Sequence, residues 1–112
     1  MAKDDYYVIV YKILAYLYVQ LKNGNPIDED MLKHDGILFQ VNYSYWCYIL
    51  TNMTEQGYIR GLQFGGMGKY KVVKYISDCE ITPLGIDYLC ENNLMEKANQ
   101  FLKDIKDITP FI

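Results

Sequence analysis

The sequence predicts an α+β domain that is mainly α, and three observations carry that expectation. A helix-period segment from Asn42 passes through a glycine into two strand-like runs that end near Ser77. Ahead of it lies the apolar run 6–21, and behind it come a proline-initiated helix and a seam of regularly spaced apolar residues. The chain has 112 residues, which suits a single domain over 1–112 and buries roughly two thirds of the unfolded chain's surface.

The first element, YYVIVYKILAYLYVQL at 6–21, is interrupted only by Lys12 and Gln20 among its apolar and tyrosine residues. It falls short of the roughly 20 apolar residues that a bilayer span requires and is too rich in tyrosine, so a buried helix is expected. Val10, Leu14, Leu17 and Leu21 form one stripe, and apolar residues occur nearly all round, which predicts cover on more than one side. Asn23-Gly24-Asn25-Pro26 ends the helix and turns the chain. Asp28 then caps a second, short helix with Glu29 and Asp30 in its first turn, running to about His34 before Asp35-Gly36 breaks it. The apolar linker ILFQV is expected to tuck into the core.

The third helix is capped by Asn42 and places Trp46, Ile49, Leu50 and Met53 at helical spacing toward the core. Its opposite face is expected to carry Tyr43, Ser44, Cys47, Thr51 and Glu55, and Gly57 supplies a left-handed terminator. YIRGLQF and KYKVVKYIS then read as two strands joined by the glycine-dense tip FGGMG, a hairpin over about 58–77. Thr82 with Pro83 at the first helical position starts the next helix, and Gly85 in its first turn predicts close approach to another backbone. The closing helix, about 94–108, carries Leu94, Ala98, Phe101, Ile105 and Ile108 in steps of 4, 3, 4 and 3. That is a coiled-coil-like seam, and with the apolar first helix it predicts a homodimer interface, unless it packs on its own chain.

Charge is segregated along the chain. Residues 58–77 hold Arg60, Lys69, Lys71 and Lys74 with no acid, a local +4. The remaining 7 basic and 14 acidic residues give −7, which returns the total of −3. Such a wing suits phosphate contact, although lysines on a strand equally protect an exposed sheet edge. Twelve tyrosines, five of them between Tyr6 and Tyr18, suit a boundary between core and water or a face turned to a partner.

Catalytic chemistry finds no support in the pattern. His34, the single histidine, stands beside Asp35 at the end of a short helix, where a cation near the helix C-terminus is its ordinary role. FGGMG does not lead into a helix as a phosphate-binding loop does. Cys47, Cys79 and Cys90 show no metal-type pairing, and their odd number argues for reduced thiols rather than a disulfide framework. No metal and no cofactor are expected. MAKDDYY has acids where a secretory signal carries basic residues, so a cytoplasmic location is expected.

The predicted order of helix, turn, short helix, helix, β-hairpin and helix is that of a winged helix-turn-helix, with a three-helix core, a hairpin wing and additional C-terminal helices. Glu55-Gln56-Gly57-Tyr58-Ile59 and the run ITPLGIDYLCEN resemble paired signatures of bacterial winged-helix regulators. Over about residues 5–108 the chain resembles the YjcQ-like family of small bacterial and phage proteins, including the Ile-Lys-Asp of its closing helix. The resemblance implies that Asn42 to Gln56 is a recognition helix and Tyr58 to Ser77 a wing. It implies double-stranded DNA as partner, with Tyr43, Ser44, Tyr48, Thr51 and Asn52 turned to the groove and Arg60, Lys69, Lys71 and Lys74 to phosphates. The helix departs from a typical DNA reader, since it offers no arginine or lysine to base edges. A protein-interaction module on the same scaffold is therefore the alternative, favoured by the acidic total.

Overall fold

The computed structural model describes residues 5–66 and 72–91. Eight elements follow in order: α1 (Asp5–Asn23), α2 (Glu29–Leu32), α3 (Tyr43–Glu55), β1 (Ile59–Arg60), β2 (Gln63–Gly65), β3 (Val72–Tyr75), β4 (Glu80–Ile81) and α4 (Pro83–Glu91). The fold is α+β and mainly helical with two small antiparallel sheets, compatible with a winged-helix arrangement. The closing helix expected at 94–108 lies outside the described residues.

Helix α1 is the post around which the rest is built, packing on α3, α4 and β4. Ile9, Val10, Ile13, Leu14, Ala15, Tyr16 and Leu17 are all buried, which accords with an apolar sequence that continues round the helix. The stripe ends sooner than expected. Leu21 is 52% exposed, and the buried residue of the last turns is Gln20, whose amide donates to the Pro26 carbonyl at 2.9 Å. Tyr16 is fully buried, and its hydroxyl oxygen accepts the Asp28 amide at 2.8 Å, tying α1 to the start of α2.

Asp28 caps α2 as its sequence predicts, accepting from the Asp30 amide at 2.9 Å. The helix stops at Leu32, two residues short of His34, because Lys33 turns extended. Gly36 folds so tightly under the helix that a Cβ there would meet the Asp30 carbonyl. The linker to α3 is pinned at both ends. The Val41 amide donates to the His34 carbonyl at 2.8 Å, His34 Nδ1 lies 3.1 Å from the Val41 carbonyl, and Asp35 bridges Gln40. Leu38 and Phe39 enter the core while Ile37 stays exposed, so only part of ILFQV tucks inward.

Asn42 caps α3 by accepting the Tyr45 amide at 2.8 Å, and Gly57 ends it at φ 85°. Trp46, Ile49, Leu50 and Met53 face the core, and the Trp46 indole donates to the Leu32 carbonyl at 2.9 Å. Cys47 is buried as well, which corrects its placement on the outer face. At one turn from Tyr43 and three residues before Leu50, it falls on the flank of α3 that meets β3.

The hairpin corrects the expectation most. Instead of one continuous ribbon there are two short ladders: β1 pairs with β4, and β2 pairs with β3. Two residues separate β1 from β2, whereas four separate β3 from β4. The surplus folds as a turn in which the Cys79 amide donates to the Ile76 carbonyl at 3.0 Å, with Ile76 and Cys79 buried. Opposite it, Gly61 takes φ 94°, and a Cβ there would meet the Asp78 carbonyl. A glycine is what lets the two arms cross at that point. A further irregularity falls between Gln63 and Phe64.

Candidate nucleic-acid interface

The two sequence signatures, around Gly57 and around Thr82, meet in space. The Thr82 hydroxyl donates to the Gly57 carbonyl, the Thr82 amide donates to the Tyr58 carbonyl at 3.0 Å, and the Gly85 amide donates to Thr82 Oγ1 at 3.2 Å. One side chain thus caps α4 and holds the C-terminal exit of α3. Gly85 passes so close that a Cβ would stand 2.5 Å from the Tyr58 carbonyl oxygen, the approach its position in the first turn implies. Through this junction α3 and the start of the hairpin are held at a fixed angle.

The side of α3 turned away from the core presents Ser44, Tyr48, Thr51 and Asn52, with Glu55 one turn further along. Ser44 is exposed and Tyr48 is 59% exposed, while Thr51 and Asn52 are half-buried. The Asn52 amide nitrogen donates to the Tyr48 carbonyl at 2.8 Å, which leaves its oxygen and one N–H to point outward. Tyr43 has a different place from the other four. It stands at the wing side of α3 with its hydroxyl 3.4 Å from the Val73 carbonyl of β3, and its ring meets His34 edge-on at 5.5 Å between centroids. Tyr43 therefore braces the wing against α3, and His34 supports the brace from behind.

In the wing, Arg60 Nε donates to Glu80 Oε1 at 2.8 Å across the β1–β4 ladder, where the two residues are register partners. The side chains are 63% and 49% exposed, so the pair contributes about 0–1 kcal/mol. Lys74 is exposed on β3, its methylenes lying over Gly65. Lys69 and Lys71 lie outside the described residues. Segregation of charge also narrows at the β4 end. Extending the window from Ser77 to Glu80 adds Asp78 and Glu80, and +4 becomes +2.

A feature not assembled from the sequence is an aromatic surface that runs from Tyr45 and Tyr48 of α3 to α1. Tyr45 stacks on Tyr48 at 6.3 Å, Tyr48 meets Tyr6 at 6.2 Å, and Tyr6 meets Tyr7 edge-on at 5.1 Å. Tyr58 and Tyr88 form a tilted pair at 5.1 Å, and the Tyr88 phenol is within electrostatic range of Tyr7. Burial foremost, then the hydroxyls of Tyr48, Tyr7, Tyr45 and Tyr88, hold the Tyr6 phenol above its ordinary pKa. Six tyrosines from α1, α3, α4 and the exit of α3 thus share one face. The abundance of tyrosine was the available signal, but convergence of separate elements is a tertiary property.

Among the described residues no group of three or more His, Cys, Asp and Glu side chains is placed to hold a metal ion. His34 and Asp35 stand 3.9 Å apart in a loop corner that serves the backbone. No described helix is long and apolar enough to cross a membrane. The dimer residues expected from the seam, Leu94, Ala98, Phe101, Ile105 and Ile108, lie outside the described residues.

No curated relative and no solved structure matches the sequence. A family model described as YjcQ protein matches residues 11–108, nearly the whole chain. The match establishes that the chain belongs to the YjcQ family.

Proposed function

We propose that this protein is a non-enzymatic, cytoplasmic DNA-binding protein, a dimeric transcriptional regulator that sets α3 in the major groove and its basic wing on phosphates. The observation that carries the reading is the placement of α3. Its core side is fully used, its outer side offers Ser44, Tyr48, Thr51 and Asn52, and Tyr43 fastens the wing beside it. With no cation on α3, affinity comes from the wing, and the second copy in the dimer doubles that contribution. Replacing Lys69 and Lys71 with glutamate tests the reading directly. Duplex binding measured by fluorescence anisotropy is expected to be abolished while the thermal melt stays within a few degrees; retained binding removes the wing as the phosphate contact.

A second reading, a protein-interaction module on the same scaffold, is favoured by the tyrosine face. Phosphate contact and aromatic contact respond differently to salt, since the first releases counterions and the second does not.

A further inference from the structure

The tyrosine face differs from the wing in charge as well as in chemistry. Five of its six rings come from residues 5–11 of α1, from α3 and from α4, stretches that hold Asp5, Glu55, Asp87 and Glu91 and no lysine or arginine, whereas Tyr58 stands two residues before Arg60 and Lys12 follows Tyr11. Asp87 and Glu91 are exposed on either side of Tyr88 in α4. Tyr7 and Tyr48 are 62% and 59% exposed, so two rings show broad faces to solvent. Nucleic-acid platforms pair such rings with a basic groove, whereas α3 and α4, which carry three of these rings, contain no lysine or arginine.

We propose that this face docks an arginine-bearing segment of a partner protein, with guanidinium groups stacked on Tyr7 and Tyr48 and neighbouring carboxylates completing the charge. The inference rests on the protein-interaction reading and deepens it by naming the partner's chemistry. A cation over an aromatic face is attracted by the ring quadrupole, and arginine adds planar stacking that lysine lacks. A second copy of this chain does not supply both groups. The sequence has a single arginine, Arg60, so a second copy would bring one guanidinium to a face with two exposed rings.

The test uses the full chain and labelled nine-residue peptides in fluorescence anisotropy at low salt: alternating arginine and glycine, alternating lysine and glycine, and alternating proline and alanine, with single-stranded DNA as a fourth probe. The arginine peptide is expected to bind more tightly than the lysine peptide and well above the uncharged one. Tyr7→Ala and Tyr48→Ala are each expected to weaken it about tenfold, the scale of a partly desolvated cation–π contact, whereas Tyr7→Phe and Tyr48→Phe retain binding. Both rings are exposed, and circular dichroism melts confirm that the variants fold. Absence of arginine-peptide binding, or binding indifferent to both alanine variants, overturns the proposal. Equal binding of the uncharged peptide overturns it too but leaves the protein-interaction reading standing. Single-stranded DNA bound through Tyr48 while no peptide binds overturns both.

Discussion

Thr82 joins two parts of the chain through one hydroxyl, because the same oxygen donates to the Gly57 carbonyl and accepts from the Gly85 amide. Replacing it with valine keeps the shape and removes both bonds, one of them to a buried amide. Thr82→Val is expected to cost about 1–3 kcal/mol, read from the shift of a urea unfolding midpoint. An unchanged midpoint would show that the junction is held by packing alone. Ionisation gives a second prediction at this scale. Burial, with Glu80 adding to it, pushes the Cys79 thiol from 9.0 up to about 12. The folded state therefore keeps its proton where the unfolded chain releases it. Stability from this group is complete below pH 9 and is lost between about 9 and 12, at about 1.4 kcal/mol per pH unit. Burial raises the Tyr16 phenol as well, so alkaline unfolding steepens in the same direction. Cys79→Ala is expected to flatten the slope of stability against pH above 9, and an unaltered slope would assign it to the tyrosines.

The hairpin divides where Gly61 crosses the Ile76–Cys79 turn, and this decides how the wing leaves the body. Gly61→Ala adds a Cβ against the Asp78 carbonyl at a left-handed φ of 94°, so both space and backbone oppose it. The expected loss is at least about 1 kcal/mol, seen as a lowered unfolding midpoint, and an unshifted midpoint would mean that the crossing relaxes freely. Helix caps were legible in the sequence because Asn42, Asp28 and Thr82-Pro83 act on their own neighbours. The split ribbon was not. Two-residue strands such as β1 and β4 are too short to show a period, and the meaning of Gly61 depends on a carbonyl seventeen residues away. The same limit explains Cys47 and Leu21. Each sits at the margin of an apolar stripe, where the neighbouring element, and not the helix period, decides burial.

As a whole, the molecule carries two unlike surfaces, the wing beside Tyr43 and a tyrosine face that shares Tyr48 with the outer side of α3. The wing was legible from charge segregation, since Arg60, Lys69, Lys71 and Lys74 are close in sequence. Glu80 fell outside that window, and its pairing with Arg60 appears only when β4 is laid beside β1. The tyrosine face was illegible because α1, α3 and α4 each give it only one or two rings. The proposed dimer belongs to this scale also. Phe101→Glu is expected to halve the solution mass measured by light scattering, and an unchanged mass would separate the seam from the dimer contact. The most direct measurement of the central claim is a fluorescence-anisotropy titration of random-sequence duplex DNA at about 50 mM and about 200 mM salt. With Arg60 partly neutralised, roughly three effective cations per subunit predict an affinity loss across that range of about 40-fold for one engaged subunit and about 2,000-fold for the proposed dimer. Binding that is absent at the lower salt, or equal at both, would contradict DNA recognition by this wing.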